Sequence, residues 1–540
     1  MKEEQAKMKT AMSTVHLAVL CLFFSSQTGF AEETSLSQDP AELPKERSAL
    51  IDANGMLMLD YLKIDLKGGG NFDLLGIHYL HQLNDWLYWG IGMAAPMVEG
   101  NYGGFFAADV NLHAQKKVFG NWFVDAGLAL GAGAGGASIS QISELSGTGA
   151  YSRKYLGFGY DFGSMNVGVN YAKVQIANSK IDDSTIGIYL QKPLSFSVGS
   201  YADAGKRLSL TDANHRKHES MVTLEYSNLS QIDPTGAYGG GIGMVSPQFS
   251  QFFNDRDFLF FGLELGYSGL VWYNQAQGGI GRRIALSPNV NLYGQLGVGS
   301  GGWVTDTINT GPGLVVYPKA RIEYLWDNGV GASLSAGYLS APKGTSRNWS
   351  FGAAISYHLT PEKLDLNNDR TKRDLALRGV RINVFDRKSF NVATNGEKIS
   401  DLNLVAVQLD YSFRDHWYLP FQVAAATNEY DGHTPGYVEG LVGLGWQSDL
   451  FASDKLQGFA QVLYGMNDIG INAEHDVGAL LNASLGFNYD LSDTYSIYGQ
   501  VGKTVSLAQY LRPNFDNSFE SVSVGLGMTY RFSLPTRVSR

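Results

Sequence analysis

From about Met56 to the C-terminus the chain alternates between apolar and small or polar side chains, in segments of roughly ten residues. A strand sends successive side chains to opposite faces, so each segment has one apolar face and one polar face. The last segment, Ser521 to Phe532 (SVSVGLGMTYRF), is the cleanest case. Val522, Val524, Leu526, Met528, Tyr530 and Phe532 share one side; Ser523, Gly525, Gly527, Thr529 and Arg531 share the other. Phe106 to His113, Val124 to Leu130, Leu156 to Tyr160 and Val167 to Tyr171 repeat the pattern. Leu57 to Leu66 is ambiguous, because Asp60, Lys63 and Asp65 fall on both faces. A chain patterned this way throughout predicts an all-β, antiparallel fold, and it has no other segment from which to build a separate core.

The composition suits short strands joined by turns: 65 Gly, 29 Tyr, 28 Phe and 9 Trp in 540 residues. No uninterrupted apolar run reaches the roughly 18 residues of a spanning helix. The order of segments returns three times. FVDAGLALGAGAGG (123 to 136) is echoed by LYGQLGVGSGG (292 to 302) and FAQVLYGMND (459 to 468). YLGFGYDFGS, ARIEYLWDNG and SLGFNYDLSD follow, and each unit closes on an apolar strand. WLYWGIGMAAP (86 to 96) is matched to AYGGGIGMVSP (237 to 247) and, more faintly, to WYLPFQVAAAT (417 to 427). The expected organisation is about 24 strands in three weak repeats of about eight. The repeats are 51–200, 201–360 and 375–540, with a charged linker or turn at 361–374.

This closing strand, with turns that alternate short and long along the chain, resembles the outer-membrane β-barrels of Gram-negative bacteria, a porin-like class. In that class the apolar face meets lipid and the polar face a lumen. The N-terminus fits: Lys2, Lys7 and Lys9 precede an apolar core Leu17 to Phe24, and Gly29-Phe30-Ala31 predicts cleavage before Glu32. Residues 1–31 therefore read as a signal peptide and 32–50 as a periplasmic segment. Cys21, the single cysteine, falls in the leader. The remainder has neither disulfide nor thiolate metal site. Its charge is about −11: the leader's three Lys and two Glu remove +1 from a total of −10, and this acidic balance argues against nucleic acid as a partner.

The resemblance implies an outer-membrane location, contact with lipid and lipopolysaccharide, delivery by the barrel-assembly machinery and possible periplasmic export partners. Phe532 is the candidate assembly signal, although SLPTRVSR follows it. Asp109, His113, Asp125, Glu264, Lys319, Arg321, Glu323, Gln408, Asp410 and Arg531 are the lumen-facing candidates. Charge away from water is costly unless paired or wetted, so these residues favour one wide, wet barrel over several narrow ones. The expected function is a passive pore or export conduit for a polar solute or polymer. The alternative is a structural or surface-interaction barrel without an open pore.

No cofactor or metal site is expected. Gly131, Gly133 and Gly136, and again Gly297, Gly299 and Gly302, match G-x-G-x-x-G but run into strands rather than helices, which a dinucleotide site requires. His218 and Ser220 lie two apart, near what the strand order makes the external rim. They resemble the His-x-Ser pair of outer-membrane lipid hydrolases, which implies histidine as base and serine as nucleophile. A rim His and Ser entering a strand is the simpler reading, and the chain is expected not to be an enzyme.

Overall fold

The computed structural model describes residues 50–135, 145, 147–208, 219–234, 238–270, 273–301, 308–326, 329–359, 375–394, 397–428, 437–451, 455–468, 478–507 and 519–537. The predicted leader, the 32–49 segment and the 360–374 linker lie outside them, as does His218.

Among the described residues, twenty-four long antiparallel strands close into three barrels of eight. The first runs through β1 (Ile51–Asp65), β2 (Asn71–Gln82), β3 (Leu87–Ala95), β4 (Phe105–Phe119), β5 (Trp122–Gly135), β6 (Ala150–Asp161), β7 (Asn166–Ile176) and β8 (Asp182–Val198). It closes where β1 pairs β8, Leu57 opposite Lys192. A two-residue strand, β9 (Arg207–Leu208), lies in the connection that follows. The second barrel comprises β10 (Ser220–Gln231), β11 (Ile242–Phe252), β12 (Asp257–Ser268), β13 (Asn274–Ala285), β14 (Val290–Ser300), β15 (Leu314–Leu325), β16 (Val330–Ser340) and β17 (Arg347–His358). The third comprises β18 (Leu375–Thr394), β19 (Glu397–Ser412), β20 (Trp417–Ala426), β21 (Val438–Phe451), β22 (Leu456–Asp468), β23 (Gly478–Asp490), β24 (Tyr495–Ser506) and β25 (Phe519–Arg537). β10 pairs β17, and β18 pairs β25.

The pairings in this structure differ from the expected single wide barrel. Each eighth strand returns to its own first strand, and the lumen charges find partners directly rather than through a wide water column. The echo between 86–96 and 237–247 is also out of step, since the first stretch forms a third strand (β3) and the second leads into a second strand (β11). Segments 123–136, 292–302 and 459–468 all contribute fifth strands, and the later echoes stay in step. The closing strand runs on past Phe532, with Pro535 and Thr536 opposite Leu377 and Ala376.

Each barrel has a turn end, with short connections such as 83–86, 162–165, 326–329 and 491–494, and a loop end with the longer ones, such as 96–104 and 301–313. Gly163 and Gly329 hold φ of 86° at equivalent sixth-strand turns, where a side chain is strained.

The molecule is inside-out. Arg153, Arg321, Arg381 and Arg387 are among its largest fully buried side chains, whereas Ile186 is 72% exposed and Leu156 68%. Aromatic rings gather outside the turn ends, as where Trp122 stacks on Phe158 at 4.8 Å and Tyr324 meets Trp326 at 5.4 Å.

The barrels touch through repeated relations. At the loop end, the segment after β3 docks on the second barrel. Met97 O accepts from Leu314 N (3.0 Å), Pro96 O from Ser300 Oγ (2.8 Å) and Val98 O from Lys343 Nζ (2.5 Å). Asp73, outward on β2, holds this segment by accepting from the Met97, Val98 and Glu99 amides. The end of β20 likewise meets the residue before β6, since a Cβ on Gly149 would stand 2.8 Å from Ala426 O. In both cases a third strand's end meets the start of another barrel's sixth strand. At the turn end, second strands face eighth strands: His81 lies 4.6 Å from Tyr530, and Tyr411 is within electrostatic range of Tyr357. Taken together these contacts link each barrel to the other two.

Candidate functional site

The candidate sites are the three lumens. In the first, Asp60 on β1 accepts from Arg153 Nη1 (2.5 Å) and contacts His78 Nε2 (2.8 Å). Asn111 Nδ2 reaches His78 Nδ1 at 3.2 Å, and Asp109 accepts from Asn111. His113 Nδ1 meets the Tyr155 hydroxyl at 2.7 Å, and Tyr189 donates to Asp125. This polar belt is capped at both ends. Leu62, Ile64, Phe72 and Phe105 fill the loop end, and Met56, Met58, Leu80 and Phe123 fill the turn end. Gly76 shows how tightly the belt is packed: a Cβ there would stand 2.0 Å from Asp60 Oδ1.

The second lumen carries two ionic layers. Near the turn end His358 bridges two carboxylates, Glu219 through Nδ1 and Glu323 through Nε2 (3.2 Å). Arg283 Nη1 donates to Glu219 (2.7 Å), the Tyr293 hydroxyl to Glu323 (2.6 Å) and Arg321 Nη1 to Thr223 (3.1 Å). Further in, Lys319 Nζ lies 3.2 Å from Glu225, Ser335 donates to the same carboxylate (3.1 Å), and Gln277 donates to Glu264 (2.6 Å). Met221, Phe252, Phe258 and Phe260 close one end, and Leu229, Ile242, Met244 and Leu270 the other.

In the third lumen Asp410 accepts from Arg381 Nε (3.1 Å), Asn383 (2.8 Å) and Gln408 (2.7 Å). Arg387 pairs with Glu439 at 2.7 Å and Arg531 with Asp490 at 2.5 Å. Between the Arg381 and Arg387 layers Phe385, Phe459 and Tyr498 pack together, with centroids 4.8 and 5.3 Å apart.

All ten lumen-facing candidates (Asp109, His113, Asp125, Glu264, Lys319, Arg321, Glu323, Gln408, Asp410 and Arg531) are buried inside barrels, divided among three lumens rather than sharing one. The ambiguity of β1 resolves by height: Asp60 is inside, while Lys63 and Asp65 are exposed near the loop end, Lys63 pairing with Glu99 at 2.8 Å. Sequence reasoning passed over Arg153, Glu225, Arg283, Arg381, Arg387 and Glu439 as site residues. Their parity was available; what it lacked was which charge stands across which barrel.

Ser220 does not stand at the loop end, as the strand count had it; it begins β10 at the turn end, its hydroxyl donating to Gln251 Oε1 (2.5 Å). The neighbouring Glu219 turns inward to His358 and Arg283. Phe532 packs 5.4 Å from Tyr530 on the outer surface, within β25 rather than at its end. Among the described residues no group of three His, Cys, Asp or Glu is placed to hold a metal ion.

No family model matches the chain, and no curated protein matches it. Among solved structures it is similar to the N-terminal β-barrel domain of Pseudomonas aeruginosa OprF, at 12% identity and a TM-score of 0.20, over 28% of this chain and 97% of that one. Neisserial surface protein A (NspA) is similar over 28% of this chain and 95% of its own, at 8% identity and a TM-score of 0.21. Acinetobacter baumannii OccAB3 is similar over 89% of this chain and 99% of its own, at 9% identity and a TM-score of 0.21. At these scores the case for function rests on the chain's own residues.

Proposed function

We propose that the chain is a bacterial outer-membrane protein that crosses the bilayer as three narrow barrels with shut lumens, serving as a structural or surface-interaction scaffold. The inside-out distribution supports the membrane: a continuous outer face of Leu, Ile, Val and Phe above aromatic rings is stable against hydrocarbon and headgroups. The turn ends face the periplasm and the longer loops face outward. Lipid and lipopolysaccharide are then its neighbours and the barrel-assembly machinery its route in.

The observation that carries the shut lumen is the direct pairing of buried charges inside each barrel. Eight-stranded barrels are just wide enough for side chains to fill. Planar-bilayer recording of the folded, reconstituted protein tests this. The expected trace is flat, and reproducible porin-like current steps overturn the reading.

A second reading, a channel, draws on a different observation. The lumens hold buried polar atoms without hydrogen-bond partners among the described residues, including both side-chain polar atoms of Gln295, Arg283 Nε and Arg387 Nη1. Such atoms favour water and leave polar surface for a conduction path once a cap moves. The same recording, repeated with the first barrel's loop-end cap truncated by Phe72→Ala and Phe105→Ala, distinguishes the two: a conduit gains current, a packed scaffold loses stability.

A further inference from the structure

Among the described residues, the third barrel shows at its turn end no apolar cap like those that the other two build from their own walls. Its buried inward residues there include the polar Arg381, Asp410, Ser412, Arg531 and Ser533, all under 9% exposed, beside the ring of Tyr418. What covers them comes from elsewhere in the chain, from the connection between the first and second barrels. Gly199 and Ser533 exchange backbone hydrogen bonds at 2.8 Å each, and Ser533 Oγ donates to Ser200 O (2.7 Å). Six residues on, Gly205 N donates to Leu377 O (2.8 Å), Leu377 N to Lys206 O (2.9 Å), and β9 pairs with Leu375 and Ala376.

Between these anchors a single 3₁₀ turn, Tyr201–Asp203, presents Tyr201 to the mouth. The Arg531 guanidinium lies 5.1 Å over its ring, and Arg381 and Tyr418 are within electrostatic range. A Cβ on Gly379 would touch both Tyr201 Cε2 (2.8 Å) and Ser412 Oγ (3.3 Å), so Tyr201 and Ser412 flank the same point of the mouth.

We propose that residues 199–208 form a strap across the turn-end mouth of the third barrel, with Tyr201 as its stopper. The first two barrels are shut by their own strands, so they cannot open without losing their cores. The third is shut by a segment held through a few backbone bonds and one ring. The strap can lift while the barrel stays intact, and lifting it bares Arg381 and Arg531, an anion-attracting mouth. Local openings of this kind cost far less than global unfolding.

The test uses Ser412→Cys as a reporter in the full-length protein, with Cys21 changed to Ser. Reaction of the introduced thiol with a membrane-impermeant maleimide is followed in detergent, and folding is checked by heat-modifiable gel migration. With Tyr201 present, or with Tyr201→Phe, which keeps the ring, this thiol reacts slowly. With Tyr201→Ala its rate rises about tenfold or more. Gly205→Pro supplies an independent opening, because φ there is +87° and the amide is donated to Leu377. It lies outside every barrel strand and is also expected to speed labelling. Three outcomes each overturn the proposal: the reporter thiol reacting equally fast with Tyr201 and with Tyr201→Ala, Tyr201→Phe labelling as fast as Tyr201→Ala, or Gly205→Pro leaving the rate unchanged. None of these outcomes bears on whether the lumen conducts, so the strap and the scaffold reading fail separately.

Discussion

Lys319 and Glu225 offer the sharpest measure of whether these lumens are filled or wet. The ammonium lies 3.2 and 3.3 Å from the two carboxylate oxygens, with side-chain exposures of only 4% and 3%. Replacing Lys319 by Met keeps the length and removes the charge, leaving Glu225 with Ser335 as its remaining hydrogen-bond donor. Breaking a buried pair on one side costs about 3–5 kcal/mol, because the surviving charge is uncompensated. If the lumen were a water column, the same pair would behave like a surface bridge, worth about 0–1 kcal/mol. The two pictures thus differ by several kcal/mol. Urea unfolding of the protein in lipid vesicles, followed by tryptophan fluorescence, measures the loss. Lys319→Met should shift the transition by about 3–5 kcal/mol, and adding Glu225→Leu should recover most of it, since a packed apolar pair is about neutral in such a site. A single-variant loss below about 1 kcal/mol refutes the filled lumen, and a double variant as unstable as the single refutes the pairing.

Three further outcomes follow from the same geometry. Gly76→Val should cost at least the roughly 1–3 kcal/mol of an overpacked core, because its first carbon already collides with Asp60; the same urea titration reads it. Ile186→Arg on the outer face of β8 should destabilise by about 2–4 kcal/mol in vesicles if it lies at mid-bilayer; a neutral result there denies the lipid contact. Asp73→Ala should free the segment that joins the first two barrels, so that limited proteolysis cuts within 96–104 faster than in the unaltered protein, with both barrels remaining folded.

The faces of the strands were legible in the sequence because side-chain direction along a strand is local. Lys319, Arg321 and Glu323 alternate with Pro318, Ala320 and Ile322, and no partner strand is needed to place them inside. The turns were legible for a similar reason: the Gly of YDFGS at 163 and of LWDNG at 329 marks a left-handed position in a chain otherwise extended. The Asp60–Arg153 pair was not legible. Its members stand on β1 and β6, five strands apart in order, and meet only because the sheet curls shut.

The amino-acid order alone determined that this chain forms antiparallel strands, which side of each strand is apolar, and where most of the turns fall, since each follows from neighbours a few residues apart. Tertiary structure decided how many barrels those strands make. A repeat of eight strands is compatible with one sheet of 24 or with three sheets of eight. The choice depends on whether β8, β17 and β25 bond back to β1, β10 and β18 or onward to the next repeat. Those pairings join residues more than a hundred positions apart, and only the closed barrel brings arginines and carboxylates together across a narrow lumen, a meeting that no single strand specifies.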